Sequence, residues 1–312
     1  MNIFVSGSLA YDRIMSFPGR FADHIMPDKL HMINVSFAVS GLVERMGGTA
    51  GNIAYALRLL GERPTIIATI GRDYHPYFQR LDQMGIHRDG IKVVDQEVTA
   101  CAYIITDRLD NQITAFNPGA MNHPSPFDLQ GASPDESIGI IAPGNLEDMM
   151  VLSQTYRAKG IKFIFDPGQS LPIWDGKALS EAIQGSYILI SNDYELALIT
   201  ERTGLDKRAL LDLTQTIVTT RGEAGSIITT RDGEESIPSI PRPETLVDPT
   251  GAGDAYRGGL IKGLIYGKNL SESARLGTTC ASFAIEVQGT QEYTFTMKQL
   301  NARLKHHFSP QP

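Results

Sequence analysis

Short apolar segments alternate along the chain with longer stretches in which apolar residues recur at helical spacing. The apolar segments have the length of buried strands and lie at residues 3–6, 65–70, 137–142, 161–165, 187–190 and 216–219. Residues 52–60 illustrate the helical spacing, because Ile53, Ala56 and Leu57 fall on one side and Gly61 follows. This alternation predicts strand–helix–strand units and therefore an α/β fold with a mostly parallel sheet.

Two regions depart from this alternation. Residues 30–46 alternate loosely between apolar and polar positions without a helix cap, which predicts one or two strands outside the main sheet. The apolar runs 100–106 and 112–116 flank Leu109-Asp110-Asn111, which is typical of a hairpin. A second hairpin is predicted around Asp232-Gly233, and further helices are predicted at 74–84, 252–266, 271–287 and 296–306.

Composition and charge narrow the class of protein. The chain has 312 residues, of which 42% are hydrophobic and 20% charged, as in ordinary globular proteins. Its net charge of -7 and the lack of a Lys/Arg run argue against nucleic acid as a partner. No apolar run has the length of a membrane span and the sequence predicts no signal peptide, so we expect a cytoplasmic protein. Cys101 and Cys280 are expected to be buried, reduced thiols.

The most informative stretch lies near the C-terminus, at residues 248–261. A turn-forming Asp-Pro-Thr leads into Gly251-Ala252-Gly253, and Asp254 follows at the start of a helical apolar run. Small residues at a helix start leave backbone N–H groups free to bind an anion. A carboxylate beside such an anion site is explained if it accepts a proton from a hydroxyl that attacks a phosphate. We therefore interpret Gly251, Ala252 and Gly253 as an anion cradle and Asp254 as a general base.

This motif alone leaves a simpler interpretation open. Gly-x-Gly before a helix is common, and the helix macrodipole by itself favours an acid in the first turn and keeps it ionised. The catalytic interpretation gains support because ligands of parallel sheets bind beyond the carboxyl ends of the strands. Polar residues follow several predicted strands at that edge, namely Ser8, Asp12, 166–169, Asn192 and 221–222.

Two motifs together resemble the signatures of the ribokinase-like (PfkB) kinases. The first is Gly47-Gly48-Thr-Ala-Gly-Asn52 and its continuation to Gly61, and the second is Asp248-Pro-Thr-Gly-Ala-Gly-Asp254 with its continuation to Gly259. Two further family elements, 192–195 and 220–225, lie between them in the expected order. The resemblance covers nearly the whole chain. It implies an α/β three-layer sandwich, one domain over 1–312, with a central, mostly parallel sheet and a small β lid formed by roughly 13–46 and 100–117.

Within that family the details look like nucleoside kinases rather than sugar kinases. They are the segments 8–12, 110–114, 118–120 and 165–169 and the pair Tyr256-Arg257. This likeness implies transfer of the γ-phosphate of ATP, with Mg²⁺, to the 5′-hydroxyl of adenosine or another purine nucleoside. Tyr256 stands where the second signature commonly has Phe, which is a conservative change. The family also suggests K⁺ near the anion loop, held by backbone oxygens around Asp248, Thr250 and 287–289.

The resemblance assigns further roles on the acceptor side. Asp12 is expected to grip two vicinal ribose hydroxyls, because one carboxylate can accept hydrogen bonds from both. Gly48 lets the ribose approach the backbone. Asn52 either adds an amide contact to the ribose or is only a helix cap. The predicted acceptor site is completed by Ser8, Gly47, Gln169, Phe116 and Met121, with Phe37 of the lid as a further candidate.

On the nucleotide side, Thr220, Gly222, Gly225 and Gly253 are expected to lie along ATP. Asn192 and Glu195 fit a family element that holds Mg²⁺ and phosphate, often through water. The same Asn-x-x-Glu pattern after a strand is also a helix capping box, so the structural alternative stays open.

Two other functions remain open from the sequence. A sugar kinase of the same family, of the ribose or fructose type, is the first alternative. A sugar-phosphate acceptor would favour several Lys or Arg residues near the acceptor site, and the segments around Asp12, Gly48 and Gln169 offer few. A nucleoside-binding sensor without catalysis is the second, although an intact Asp254 and glycine cradle argue against it. The expected partners are small molecules, and the chain is expected to be a monomer or a homodimer that pairs through the lid.

Overall fold

A computed structural model describes residues 1–26, 31–32, 34–109, 111–129, 131–241 and 248–309. In chain order the strands are β1 Asn2–Ser6, β2 Ala10–Ser16, β3 Ser40–Gly47, β4 Thr65–Gly71, β5 Ile91–Val94, β6 Ala100–Thr106, β7 Gln112–Asn117, β8 Ser137–Ile141, β9 Lys162–Phe165, β10 Ser186–Asn192, β11 Thr214–Thr220, β12 Ser226–Thr230 and β13 Gly233–Ile237. The α-helices are α1 Thr49–Leu59, α2 His75–Met84, α3 Leu146–Lys159, α4 Gly176–Ile183, α5 Asp193–Thr203, α6 Lys207–Leu210, α7 Ala252–Ile265, α8 Leu270–Ala284 and α9 Met297–Phe308.

Nine of these strands form one large sheet in the order β13-β12-β11-β10-β9-β8-β1-β4-β5. The strands from β11 to β5 pair in parallel, and β12 and β13 add an antiparallel edge. Parallel neighbours place their carboxyl ends at one edge of the sheet, which is where polar residues follow the strands. The predicted α/β architecture with a mostly parallel central sheet is confirmed.

Alternate residues of the central strands pack against helices on opposite sides of the sheet. Ile3 and Val5 of β1 join a buried cluster with residues of α1, α2 and α7. Phe4, between them, joins a second cluster with residues of α3, α4 and α5. Burying a side chain of this size contributes roughly 1.5–3 kcal/mol. The sheet is therefore the middle layer of three.

Helix α7 packs against α1 and α8 through glycines. A Cβ atom on Gly258 would lie 2.5 Å from Cβ of Ala56 in α1, and one on Gly259 would lie 2.7 Å from Cα of Gly277 in α8. Neither distance leaves room for a side chain, so the backbone of α7 touches the methyl group of Ala56 in α1 and the backbone of α8. The N-terminus of α7 is consequently held in a fixed position at the carboxyl edge of the large sheet.

The other four strands form a separate sheet in the order β3-β2-β6-β7, called the small sheet below. Its register aligns Asp12 with Ala102 and Ala102 with Phe116, so these three residues share one face. The opposite face carries Arg13, which donates to Glu44 at 2.8 Å and to the hydroxyl of Tyr103 at 2.9 Å. The face with Asp12 therefore combines this carboxylate with Arg45 of β3 and the apolar side chains of Ala102 and Phe116.

The sequence located most of these elements but missed two strands. Only three residues separate β1 from β2, and so short a connection gave no sign in the sequence that a second strand begins. Asp12, expected in a segment after β1, therefore lies within β2, and the small sheet begins at residue 10 rather than 13. β5 was missed as well.

Parts of the predicted lid, at 27–30 and 33, and the hairpin residue Asp110 lie outside the described residues. The single-domain division and the lid-to-lid dimer stay predictions. Over the described ranges, no helix has both the length and the apolar character needed to cross a bilayer.

Candidate active site

The glycine turn before α7 has the conformation that the motif predicts. Gly251 has a φ of 80°, which favours glycine, and a Cβ atom there would lie only 3.0 Å from Cγ2 of Thr290. The N–H of Ala252 donates to the carbonyl of Pro249, and the N–H of Ala255 donates to Gly251. Helix geometry gives the N–H groups of Gly253 and Asp254 no helical partner. These two groups are therefore available for an anion at the start of α7, whereas the N–H of Ala252, predicted as part of the cradle, is already used within the turn.

Asp254 lies in the first turn of α7. Its Oδ2 accepts a hydrogen bond of 2.8 Å from Nδ2 of Asn52 in α1. Burial raises the pKa of the Asp254 carboxyl to about 6, although Arg257 and the Asn52 hydrogen bond act to lower it. At neutral pH the carboxylate form still predominates, as a general base requires.

A buried ion pair lies one turn further along α7. Nε of Arg257 donates to Oδ2 of Asp166, which follows β9, and the two residues are only 7% and 1% exposed. Burial alone would lower the pKa of the Arg257 guanidinium, but Asp166, Asp254 and Glu195 raise it. A Cβ atom on Gly253 would lie 2.9 Å from Nη1 of Arg257. The guanidinium therefore lies directly against the glycine turn and places a positive charge beside it.

One cavity opens between the small sheet and the N-terminus of α7, and we call it the small-sheet cavity. Its volume is about 830 Å³, and both polar and apolar side chains line it. Asp12, Asn52 and Asp254 line its polar part. Burial and the neighbouring Asp248 raise the pKa of Asp12 to about 6. The apolar part is lined by Ile104, Phe116, Met121, Leu146 and Ile173.

A second cavity of about 730 Å³ lies on the other side of the glycine turn, and we call it the α8 cavity. Thr220, Gly222 and Gly225 line it where β11 ends, and Ala252 and Gly253 line it at the start of α7. Its wall on α8 repeats at helical spacing and consists of Thr278, Ala281, Ser282 and Ile285. Ser239, Ile240 and Pro241 close it from the segment after β13.

A smaller space of about 270 Å³, the junction cavity, lies between the other two. Gly251 and Asp254 line both the junction cavity and the small-sheet cavity, and Thr220 and Gly253 line both the junction cavity and the α8 cavity. Asp166, Asn192, Glu195 and Arg257 supply the charged and amide side chains that are found only in the walls of the junction cavity. The glycine turn and Asp254 therefore stand where the two larger cavities meet.

Asn192 and Glu195 form the capping box of α5. Glu195 N–H donates to Oδ1 of Asn192 at 2.7 Å, and Asn192 N–H donates to Oε2 of Glu195 at 2.8 Å. Burial raises the pKa of the Glu195 carboxyl. The structural alternative is therefore present, and the same pair also faces the junction cavity. Asp166 Oδ1, buried in the same place, has no hydrogen-bond partner among the described residues.

Comparison with known proteins decides the family. The model of the pfkB family carbohydrate kinases matches residues 14–296. The chain belongs to the pfkB family. It is 30% identical over 277 residues to a nucleoside kinase of Methanocaldococcus jannaschii, an alignment that covers 88% of this chain and 90% of that protein.

Two solved structures of one relative agree over nearly the whole chain. The nucleoside kinase of Burkholderia thailandensis in complex with inosine is 40% identical, covers 99% of both chains and superposes with a TM-score of 0.88. Its complex with ADP and inosine superposes with a TM-score of 0.85 and covers 99% of this chain and 97% of the other. The predicted ribokinase-like fold and the nucleoside-kinase resemblance are thereby confirmed.

Most of the residues predicted for the acceptor site lie together in the structure. Ser8, Asp12, Gly48, Asn52, Phe116, Met121 and Gln169 line the small-sheet cavity. Gly47 lies directly beside Asp12, since a Cβ atom on Gly47 would lie 2.5 Å from Oδ2 of Asp12. Phe37 does not line the cavity but packs against Phe17 and Phe21. The predicted contacts of these residues with ligands stay predictions.

The predicted K⁺ region is tied together by Asp248. Its Oδ1 accepts from the N–H of Thr250 at 2.9 Å, and its Oδ2 accepts from the N–H of Gly289 at 3.1 Å. The loop before α7 and the loop after α8 are thus joined by one carboxylate. Over the described ranges, no group of three or more His, Cys, Asp and Glu residues is placed to hold a metal. Bound K⁺ and the water-mediated Mg²⁺ site stay predictions.

Sequence reasoning missed several residues of this pfkB site. The α8 wall was not named, although Thr278, Ala281, Ser282 and Ile285 follow a helical repeat of small and apolar residues. The partnership of Asp166 with Arg257 was not foreseen either, because the two lie 91 positions apart. Arg257, a charged residue within the second signature, was the only sequence feature that could have indicated a buried ion pair.

Proposed function

We propose that this pfkB protein is an ATP-dependent nucleoside kinase that transfers the γ-phosphate of ATP to the 5′-hydroxyl of a purine nucleoside. The observation that carries the proposal is the meeting of two cavities at the glycine turn and Asp254. The small-sheet cavity would hold the nucleoside and the α8 cavity would hold ATP. The relative from Burkholderia thailandensis, whose complex contains ADP and inosine together, supports this division.

In the proposed reaction, Asp254 accepts the proton of the 5′-hydroxyl. A bond forms between the 5′-oxygen and the γ-phosphorus, while the bond from that phosphorus to the β–γ bridging oxygen breaks and its electrons leave with ADP. The loose transition state asks little of the nucleophile, so positioning and charge stabilisation dominate. The N–H groups of Gly253 and Asp254 would face the migrating phosphoryl group. The cationic Arg257, fixed against Gly253, adds positive charge at the same place.

Magnesium fits the donor set of the junction cavity. Carboxylate oxygens are the protein ligands that Mg²⁺ prefers, and here Glu195 and the unpartnered Oδ1 of Asp166 lie in one small space. Asn192, Glu195 and Asp166 would hold the ion, largely through water. When bound, Mg²⁺ would neutralise charge on the phosphates of ATP.

The shape of the small-sheet cavity favours a nucleoside over a bare sugar. Asp12 lies at its polar part, where two ribose hydroxyls could donate to one carboxylate. The apolar part, with Ile104, Phe116 and Met121, would be left unfilled by ribose or fructose but suits a planar base. Gln169 and Asn122 offer amides to the edge of that base.

A coupled ADP-release assay with Mg-ATP tests the proposal. Adenosine, inosine, guanosine, cytidine, ribose and fructose would be compared as acceptors. Turnover of purine nucleosides well above that of the two sugars is expected. Turnover of ribose without any nucleoside would instead identify a sugar kinase, and nucleoside binding without ADP release would identify a sensor.

Replacing Asp12 with alanine is expected to raise the KM for the nucleoside by about 10- to 100-fold, as for the loss of hydrogen bonds to a charged group. The value of kcat is also expected to fall, because a loosely held ribose misaligns the 5′-hydroxyl. The KM for ATP should stay near that of the wild type. Steady-state kinetics with each substrate varied in turn provides the measurement.

The matched control for Asp12 is Glu44→Ala, which removes a carboxylate from the opposite face of the same sheet. This control is expected to leave the nucleoside KM unchanged. An unchanged nucleoside KM in Asp12→Ala would remove Asp12 from the acceptor site.

The role of Glu195 can be separated from its role in the helix cap. Glutamine also serves at the third position of a capping box, so Glu195→Gln keeps α5 intact while removing the charge. We expect the Mg²⁺ concentration for half-maximal activity to rise about 10-fold, as is usual when a group supporting a metal is lost. Titrating Mg²⁺ at fixed ATP measures this value. The surface variant Glu201→Gln on the same helix is the control, and equal curves for both variants would assign Glu195 to the cap alone.

A further inference from the structure

A continuous chain of hydrogen bonds runs from a backbone carbonyl near the small sheet to Asp254. The hydroxyl of Tyr77 donates to the carbonyl of Gly47 at 2.7 Å. Nε2 of Gln291 lies 3.2 Å from that hydroxyl and 3.0 Å from Oδ1 of Asn52. Nδ2 of Asn52 then lies 2.8 Å from Oδ2 of Asp254. Three side chains from α2, the α8–α9 loop and α1 thus connect to the proposed base.

The direction of every hydrogen bond in this chain is fixed from its first member. A backbone carbonyl can only accept, so Tyr77 must donate to Gly47 and its oxygen is left to accept from Gln291. The group of Gln291 that faces Tyr77 must therefore be its NH₂. The second hydrogen of that NH₂ points to Asn52, which must present its oxygen there. Asn52 consequently turns its own NH₂ toward Asp254.

Burial makes this chain a rigid feature. Tyr77, Gln291 and Asn52 are 0%, 3% and 5% exposed, so water does not compete for their hydrogen bonds. Burial also raises the pKa of the Tyr77 hydroxyl, which therefore stays protonated and able to donate. A Cβ atom on Gly51 would lie only 1.9 Å from the Tyr77 hydroxyl oxygen, so the contact depends on a glycine in the first pfkB signature.

The loop that carries Gln291 is itself anchored on two sides. The carbonyl of Gln291 accepts from Nη2 of Arg80 at 3.0 Å, and the hydroxyl of Thr290 donates to the carbonyl of Met46 at 3.1 Å. These bonds hold the α8–α9 loop against α2 and β3. The amide of Gln291 therefore has one available orientation.

We propose that Gln291 and Tyr77 are positioning residues that select which oxygen of Asp254 acts as the base. Oδ2 already accepts from the NH₂ of Asn52, which leaves Oδ1 as the more basic oxygen for a proton taken from the 5′-hydroxyl. The donated hydrogen bond also favours the ionised form of Asp254 before the reaction. This inference rests on the proposed role of Asp254 as the general base.

Gln291→Leu tests the inference, because leucine is of similar size but cannot donate to Asn52. We expect kcat to fall about 2- to 10-fold, the factor that corresponds to one hydrogen bond between neutral side chains. The KM values for nucleoside and ATP should change less than about twofold, since no substrate contact is removed. The acid limb of the kcat profile should move to higher pH, because Asp254 loses a donor that favours its charged form.

A double-mutant cycle separates positioning from a general loss of structure. If Gln291 acts through Asn52, then Gln291→Leu should have little further effect on kcat in an Asn52→Ala background. Tyr77→Phe removes a single hydroxyl and should shift the acid limb in the same direction by less, which also serves if Gln291→Leu folds poorly. The surface variant Gln154→Leu, whose amide donates to Glu181, is the control and should match the wild type.

Two results would overturn the inference. One is a wild-type pH profile and kcat in both Gln291→Leu and Tyr77→Phe. The other is an equal loss from Gln291→Leu in the wild-type and Asn52→Ala backgrounds. Asp254→Asn distinguishes these failures from a failure of the proposed function. If that variant keeps its turnover, the base role itself is wrong, whereas an inactive Asp254→Asn with normal Gln291 variants removes only the positioning role.

Discussion

Asp254→Asn is expected to lower kcat by about 10²- to 10⁴-fold, the usual contribution of a general base. Asparagine keeps the size of the side chain and can still accept the hydrogen bond from Asn52 through its oxygen. It cannot take the proton of the attacking hydroxyl. The KM values for nucleoside and ATP are therefore expected to change little, and steady-state kinetics with a thermal melt of the same sample would measure both effects.

The pH dependence of the wild type gives a joint check on Asp254 and Asp12. Burial raises the pKa of Asp254, and also that of Asp12, to about 6. Both groups act as carboxylates, so kcat/KM should fall as the pH drops through about 6 and level off above it. Near-normal turnover of Asp254→Asn, in a sample that melts like the wild type, would contradict the assignment of the base.

Arg257→Met is expected to lower the free energy of unfolding by about 3–5 kcal/mol, because Asp166 would be left as an unpaired charge in the interior. Oδ2 of Asp166 would lose its hydrogen bond from the guanidinium, and Oδ1 of Asp166 already has no hydrogen-bond partner among the described residues. Urea denaturation of purified variants would measure the loss. Phosphoryl transfer should weaken as well, since the guanidinium lies against Gly253.

An exposed pair of the same two residue types is the control. Arg231 and Asp212 are 2.7 Å apart, but their side chains are 71% and 70% exposed. Arg231→Met should therefore cost about 0–1 kcal/mol. The double variant Asp166→Asn with Arg257→Met should recover part of the stability lost in Arg257→Met. Equal stability losses in Arg257→Met and Arg231→Met would show that the buried pair has no special weight.

The fold could be predicted largely because its main elements are local in sequence. β8, β9, β10 and β11 are short apolar runs with helices between most of them, and parallel pairing follows from that order. β2 could not be separated from β1, since only Gly7, Ser8 and Leu9 lie between them. The pairing of β2 with both β3 and β6 is a tertiary fact with no local signal.

The candidate site divides in the same way. Asp254 and the glycine turn could be predicted because a helix start, an anion cradle and a carboxylate lie within a few residues of one another. Gln291 and Tyr77 could not, since Gln291 lies 239 positions from Asn52 and 214 from Tyr77. In sequence, a tyrosine in an amphipathic helix indicates only core packing. The direction of their hydrogen bonds depends on which groups the fold brings together.

The backbone contacts of α7 with α1 and α8 have a consequence for how such enzymes diversify. At Gly258 and Gly259, α7 packs so closely against α1 and α8 that there is no room for a side chain. Helix α7, whose start lies between the two larger cavities, therefore tolerates almost no substitution at these positions. Part of the apolar wall that would face the base in the proposed function comes instead from β6 and β7, where Ile104 and Phe116 belong to a different sheet. Substitutions in β6 and β7 can therefore change the preferred acceptor without altering the residues that carry out phosphoryl transfer. Mutant libraries meant to accept new nucleobases should vary these two strands.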